Sequence, residues 1–485
     1  MSEKKQEKEK RPSFFGALIV VLFLCVAMYL QIFVLHADWV THITLIIAAV
    51  VASIVAMIYG FKWKDIQNGI LYGCEIAMLP MLILMMVGVL IASWIAAGTI
   101  PTLIYYGLKL LSPSIFLVTA CFVCCVASLA TGSSWTTGAT FGVAFMGVGL
   151  GLGVPAPITA GAVISGSIFG DKMSPLSDST NLAAGVAEAD LFDHIRSMMY
   201  TTGPAIILSL IIYALLGLRF RSGSMDTNQI DAILAGLKEN YWISPFTLIP
   251  PILVIILAVK RVSGLAVMII ASILGMLFAI IFQGYNLADM MNYMNYGFTS
   301  STGIEDIDAL LSRGGLQSMM WTISLGFIAL SFGGILEKTR MLEVLLEKIS
   351  KVVSNVRGLI ITHVLSSIVV NLFSASQYMA IIIPGRMLVP AYKKLRILPQ
   401  VCSRTCEDSA TVTSPLVPWG LCGVFFTGAL GVATVDYLPY VYLAYLAPIV
   451  AIFYGIINKF IWKEGEKISV KTYHDDERET AQVSV

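Results

Sequence analysis

Charge is what this sequence has least of. Asp, Glu, Lys and Arg make up 13% of its 485 residues, and the net charge is +1. Soluble domains carry about 25% charged residues. With no basic excess, a nucleic-acid partner is not expected. Nucleotide motifs are missing too. The run Gly147-Val148-Gly149-Leu150-Gly151-Leu152-Gly153 matches neither G-x-G-x-x-G nor a P-loop, and no Lys-Ser/Thr follows it. It reads as close helix packing. Neither an H-E-x-x-H run nor a G-x-S-x-G elbow is present, so no enzyme chemistry is indicated. Cysteine is sparse, with eight in all, and sits mostly inside apolar runs. Cys121 and Cys124 have redox-pair spacing but no His nearby. Their Val, Ala and Phe flanks point to packing, since free Cys behaves as a small hydrophobe.

What is present is apolar. Hydrophobic types reach 57% and mean hydropathy is +0.82. In water such a chain would expose large apolar patches; a bilayer core about 30 Å thick takes runs of about 20 such residues. Clear runs fall at 14–35, 39–60, 74–97, 200–220, 243–260, 263–283, 315–336 and 438–462. The expected fold is an all-α polytopic membrane protein of about 10–12 spans. The charged stretch 1–13, with Lys4, Lys5, Lys8, Lys10 and Arg11, precedes a run too long for a signal-peptide core. It reads as a cytoplasmic tail before a first span that stays in place. Two longer stretches, 113–185 and 356–435, are apolar but broken by Gly, Pro, Ser and Thr. Broken helices at membrane depth must be packed in protein or line a cavity, so function is sought there.

The chain also resembles itself. Ala52-Ser53-Ile54-Val55-Ala56-Met57-Ile58 is similar to Ala271-Ser272-Ile273-Leu274-Gly275-Met276-Leu277. Gly88-Val89-Leu90 matches Gly334-Ile335-Leu336. Ser128-Leu129-Ala130-Thr131-Gly132-Ser133-Ser134-Trp135 matches Asn371-Leu372-Phe373-Ser374-Ala375-Ser376-Gln377-Tyr378. Asp171 precedes Ser174-Pro175-Leu176, and Asp408 precedes Ser414-Pro415-Leu416. The shared order implies a duplication into repeats 14–221 and 243–463. A polar linker, 222–242, joins them, and a cytoplasmic tail follows at 464–485. Lys62, Lys64, Lys260, Arg261, Lys338 and Arg340 flank spans and are expected in the cytoplasm. The stretch 284–312 has no Lys or Arg and is expected outside. Arg219 and Arg221 run against this bias. The repeats are therefore expected to be inverted, an architecture common among secondary transporters.

The densest chemistry is at 170–181, Gly170-Asp171-Lys172-Met173-Ser174-Pro175-Leu176-Ser177-Asp178-Ser179-Thr180-Asn181. An ion at membrane depth costs about 2.5–3.5 kcal/mol on insertion scales, so such a cluster suggests use. Gly170 and Pro175 are expected to break a helix here. The freed carbonyls and the oxygens of Ser174, Thr180 and Asn181 are hard ligands suited to a cation such as sodium. Asp171 and Asp178 would bind the cation or a proton. The second copy, 404–415, offers Glu407, Asp408 and Thr411 for the same work. Segments 128–137 and 371–379 read as tips of re-entrant hairpins, with Ser133, Thr137, Ser374 and Ser376, and Asn371 beside them, as cation ligands. Lys172 and Arg404 could counter a carboxylate substrate. Glu75, at the opening of the third span, and Glu337, at the end of its counterpart, are weaker candidates. His363, alone in an apolar helix, reads as a packed residue.

The run at 170–181 resembles the signature of the NhaC family of sodium/proton antiporters, and the resemblance extends over about 14–463. It implies an ion-transporter fold of inverted repeats and hairpins, with Na⁺ exchanged for H⁺ across a bacterial plasma membrane and no cofactor. Some members exchange sodium-lactate for malate and protons, and the run does not separate the two activities. An ion channel is disfavoured because the ionisable groups cluster at two helix breaks and do not ring a pore.

Overall fold

The computed structural model describes residues 10–35, 41–220, 227–260, 262–350 and 355–465. Apart from one isolated bridge, between Ile397 and Lys463, those residues form helices and their connections. Among the described residues, seven helices are long and apolar enough to cross a membrane, and up to ten spans result if each of three bent pairs counts as one. That upper count meets the lower end of the expected range. The expected tails and linker lie partly outside the described residues, at 1–9, 221–226 and 466–485, as do Arg221 and Arg261. The rest of the linker is not plain coil: Thr227–Asn240 is helical and buries Ile233 and Leu237.

Polarity runs inside out relative to a soluble protein. Ile19, Leu22, Ile47, Ile211, Ile273 and Phe453 are exposed on helix faces, while Lys172, Arg404, Glu407 and Asp408 are buried. Lipid tolerates the first set, and the second must find partners within the bundle. Helices meet through glycine. At the crossing of Trp63–Ala96 and Met320–Lys338, a Cβ on Gly73 would lie 2.1 Å from the Leu330 carbonyl, and one on Gly334 would lie 2.2 Å from that of Gly69. Small residues at such contacts let backbones approach closely. Gly149 likewise faces Thr159 and Phe116, which accounts for the glycine-rich run as packing. Gly166 faces the Cys121 carbonyl and the Cys124 side chain, so these cysteines serve the same close fit.

Three expectations change. The third span begins at Trp63, well before 74. Its first turns carry Lys64, Asp65, Gln67 and Asn68, which hid it from a search for apolar runs; the Asp65 carboxylate accepts the Lys62 N–H at 2.8 Å and secures the start. Glu75 is thus exposed in mid-helix and does not open the span. Gly170 does not break its helix either. It lies inside Ala156–Met173, where a Cβ would meet the Cys125 carbonyl at 2.4 Å. The stretches at 113 and 356 also begin regularly, with the 19-residue helices Pro113–Thr131 and Val356–Ser374.

The order of elements repeats. Thr41–Ile58, Trp63–Ala96, the short Thr99–Leu110 and Pro113–Thr131 lead to a sharp turn. Gly264–Phe282, Met320–Lys338, the short Met341–Ser350 and Val356–Ser374 lead to another. Each turn is followed by a returning arm, a broken helix and a long closing helix, Leu191–Arg219 or Tyr442–Ile457. The second series contains extra elements, Leu287–Tyr296 and Glu305–Leu311, where the first has a tight connection.

Candidate functional site

The two turns share one local geometry. The first arm ends on Gly132 (φ 66°, ψ 23°) and the second on Ala375 (φ 56°, ψ 13°). Only glycine fits the first position without strain, and a Cβ there would meet Leu176 at 2.7 Å. Ser133 and Ser376 then adopt extended backbone and cap the returning arms, accepting from the N–H of Thr136 and of Met379. Capping by Ser satisfies an otherwise orphaned donor. In each turn the hydroxyl before the cap accepts the cap's own N–H, Thr131 from Ser133 at 3.3 Å and Ser374 from Ser376 at 3.2 Å.

Each turn leans on a broken helix. Ala156–Met173 stops at Ser174 and resumes as Asp178–Ala187. The Thr180 hydroxyl donates to the carbonyls of Lys172 (2.9 Å) and Asp171 (3.3 Å), and the Asn181 amide donates to those of Ser177 (2.7 Å) and Pro175 (3.0 Å). These groups hold the break open. The Ser174 hydroxyl ties it to the first arm through the Leu129 carbonyl, 2.9 Å away. Across the gap the Ser134 hydroxyl donates to the Asp171 carboxylate at 2.7 Å. In the second half, Pro399–Cys406 passes into a π-helical turn, Glu407–Thr411, and the chain breaks before Leu421–Leu430. The Asn371 amide donates to the Ala410 carbonyl at 2.6 Å and to the Thr413 hydroxyl at 3.0 Å. Gln377, which stands where Ser134 does, accepts from the Ser414 hydroxyl at 3.1 Å. Its amide donates to the Thr411 hydroxyl at 3.4 Å.

Matched from the turns outward, Asp171 therefore corresponds to Ser414. The sequence match through Ser-Pro-Leu had set it opposite Asp408. Asp408 lies earlier, on the π-helical turn, and pairs across the halves with the Lys172 ammonium. The Thr201 hydroxyl donates to the same carboxylate at 3.0 Å, and the Arg404 guanidinium is 4.0 Å away. Glu407 is fully buried beside it, and neither of its carboxylate oxygens has a hydrogen-bond partner among the described residues. The nearby imidazole of His194 is in the same condition.

A cavity of about 670 Å³ opens between the first turn, the first break and the start of the second returning arm. Of the sequence-selected residues, Asp171, Asp178, Asn181 and Ser133 line it. Ser174, Thr180, Thr137, Ser374, Ser376, Thr411, Glu407, Asp408, Lys172 and Arg404 are not among its lining residues. Ser177 and Ser179 of the 170–181 run line it too, as do Ser134, Gln377 and Tyr378, which sequence reasoning passed over. Ser134 and Gln377 were within reach, since each directly follows a matched turn serine. Asp171 and Asp178 are the charged residues among the described lining. The wall is otherwise hydroxyl, amide and apolar, and the Trp135 ring at its edge stacks on Phe425 of the second half with centroids 4.6 Å apart. Such a cavity offers hard oxygen donors and negative charge, the chemistry of a small hard cation or a proton.

A family model described as "Na+/H+ antiporter family" matches residues 12–179 and 166–459. This chain belongs to that family. It is 38% identical to the Na(+)/H(+) antiporter NhaC of Alkalihalophilus pseudofirmus, over 94% of this chain and 98% of that protein. It is 39% identical to the Na(+)/H(+) antiporter NhaC of Bacillus subtilis, over 93% of this chain and all of that protein. A further relative, the malate-2H(+)/Na(+)-lactate antiporter of B. subtilis, is 35% identical over 93% of this chain and 96% of its own length. Family membership agrees with the multi-pass helical architecture and with the resemblance read from 170–181.

Proposed function

We propose that this protein exchanges Na⁺ for H⁺ across a bacterial plasma membrane and that both ions use the cavity at the first turn. The observation that carries this reading is the pair of carboxylates, Asp171 and Asp178, as the charged groups among the described lining. Two nearby carboxylates favour holding either a proton or a cation, and the Ser134 hydroxyl fixes one of them in place. A single site that binds one ion at a time, open to one face and then to the other, is sufficient for exchange. The repeated element order supports an inverted-repeat transporter in which the broken helices meet near the membrane centre. On that reading Lys62 and Lys260 and both termini face the cytoplasm.

Exchange of an organic acid is less well supported. Lys172 and Arg404, the cations that could hold a carboxylate, are turned to Asp408 and to the Trp462 ring. The test is purified protein in liposomes with only Na⁺ and a pH gradient. Sodium-dependent proton movement is expected without lactate or malate. Flux that appears only when one of these is supplied would replace this reading with the carboxylate exchanger.

A further inference from the structure

The transport reading leaves unused a cluster on the far side of the second broken helix. Cys402 and Cys406 lie one turn apart on Pro399–Cys406, so their thiols share a face. His363, on Val356–Ser374, turns its ring toward them. All three side chains are buried, and one ligand atom from each falls within 4.8 Å of the others. The Cys406 sulfur is 3.3 Å from His363 Nε2. The other ring nitrogen, Nδ1, is 2.9 Å from the Tyr392 hydroxyl.

We propose that His363, Cys402 and Cys406 form a binding site for a thiophilic divalent cation of the Zn²⁺ class. Three lines of chemistry converge on this. Zn–S bonds of about 2.3 Å and Zn–N bonds of about 2.0–2.1 Å around a tetrahedral ion put ligand atoms about 3.5–4 Å apart, close to the 4.8 Å within which these three ligand atoms already lie. Metal-bound histidine commonly has its second nitrogen fixed by an outer hydrogen bond, the position that Tyr392 occupies. Charge also balances: two thiolates and a neutral imidazole around a divalent ion give a neutral complex, which a buried setting demands. Soft sulfur ligands select such ions over Na⁺ or Mg²⁺, so this site is separate in kind from the cavity. With three protein ligands it keeps a position open and is not a closed structural centre. Binding releases the two thiol protons and would tie Val356–Ser374 to the helix that runs straight into Glu407 and Asp408.

The test is cadmium titration of the full-length protein in detergent, with a thiol-free reductant present. Thiolate-to-cadmium absorption in the ultraviolet reads bonding to sulfur, and competition against a chromophoric chelator gives stoichiometry for Cd²⁺ and Zn²⁺. Wild-type protein is expected to bind one cation per chain with the thiolate band. Cys402→Ser and Cys406→Ser should each lose the band, and His363→Gln should weaken affinity at least tenfold. Cys124→Ser, in the other cysteine cluster, should bind as wild type does. Monodispersity and sodium-driven proton flux measured without added metal show that each variant is folded. An absent band in folded wild type, or an undiminished one in Cys402→Ser and Cys406→Ser, would overturn the site.

Discussion

The two broken helices have the same frame and different contents. Both follow a turn capped by serine, and both lie against the arm that leads into that turn. In the first half the acids, Asp171 and Asp178, face an open cavity. In the second the acids, Glu407 and Asp408, are buried, and one is paired with a lysine from the first half. Ser414 and Gln377 take the places of Asp171 and Ser134. On the proposed reading a duplicated scaffold has been divided in use: one copy carries the exchangeable charge, and the other supplies neutral donors and a cross-half anchor.

The largest effect that can break this comparison is at the cavity. Asp171→Asn and Asp178→Asn should each reduce sodium-driven proton flux in proteoliposomes to background, with expression and monodispersity retained. Normal flux in both would move the exchange chemistry to the second half.

Next in size is the anchor. Asp408→Leu strands the Lys172 ammonium among buried residues, and removing one partner of a buried pair costs about 3–5 kcal/mol. Thermal unfolding in detergent should show a large loss for this variant. The double variant Lys172→Met/Asp408→Leu should recover most of it. If the single change is neutral for stability, the pair is not an anchor.

A smaller effect sharpens the likeness of the two frames. Thr180→Val removes a hydroxyl that holds two carbonyls at the first break, and Asn371→Leu removes an amide that holds one at the second. Each should cost about 1–3 kcal/mol, the penalty of leaving a buried polar group unpaired. Unequal losses, with one variant neutral, would show that the breaks are held differently.

The smallest effect lies where the second half has no counterpart in the first. In the segment before Met320–Lys338, the Thr302 N–H, with the Ser300 and Thr302 hydroxyls, holds the Asp308 carboxyl below its usual range. A lowered folded value stabilises the folded state above the unfolded one, about pH 4, and that contribution fades as pH falls through the folded value. Asp308→Asn should lower thermal stability slightly at pH 7 and flatten its acid dependence. An unchanged acid profile would contradict the assignment.

Much of this was legible in the sequence because glycine, serine and proline punctuate it. The turns at Gly132 and Ala375 followed from matching 128–135 to 371–378, and the break at Ser174-Pro175 from its proline. Polar turns misled where they belong to helices, as at Trp63, since hydropathy sees lipid contact and not hydrogen bonding. The Lys172–Asp408 pair joins residues far apart in sequence and could not be read from spacing. The Ser-Pro-Leu match set Asp408 against Asp171 although Asp408 stands further ahead of its Ser-Pro-Leu than Asp171 does, and the hydrogen bonds of the two arms put Ser414 in the place of Asp171. The relation of His363 to Cys402 and Cys406 was equally hidden, since they lie on different helices and are well separated in sequence.

The division between the halves is tested most directly by proton release from purified protein in weakly buffered detergent as Na⁺ is added. Wild-type protein and the Lys172→Met/Asp408→Leu variant should both release protons in proportion to sodium bound. Folded Asp171→Asn/Asp178→Asn protein should release none. Sodium-dependent release that persists in this last variant, or disappears in the folded anchor variant, would contradict the assignment of the exchange site to the first turn.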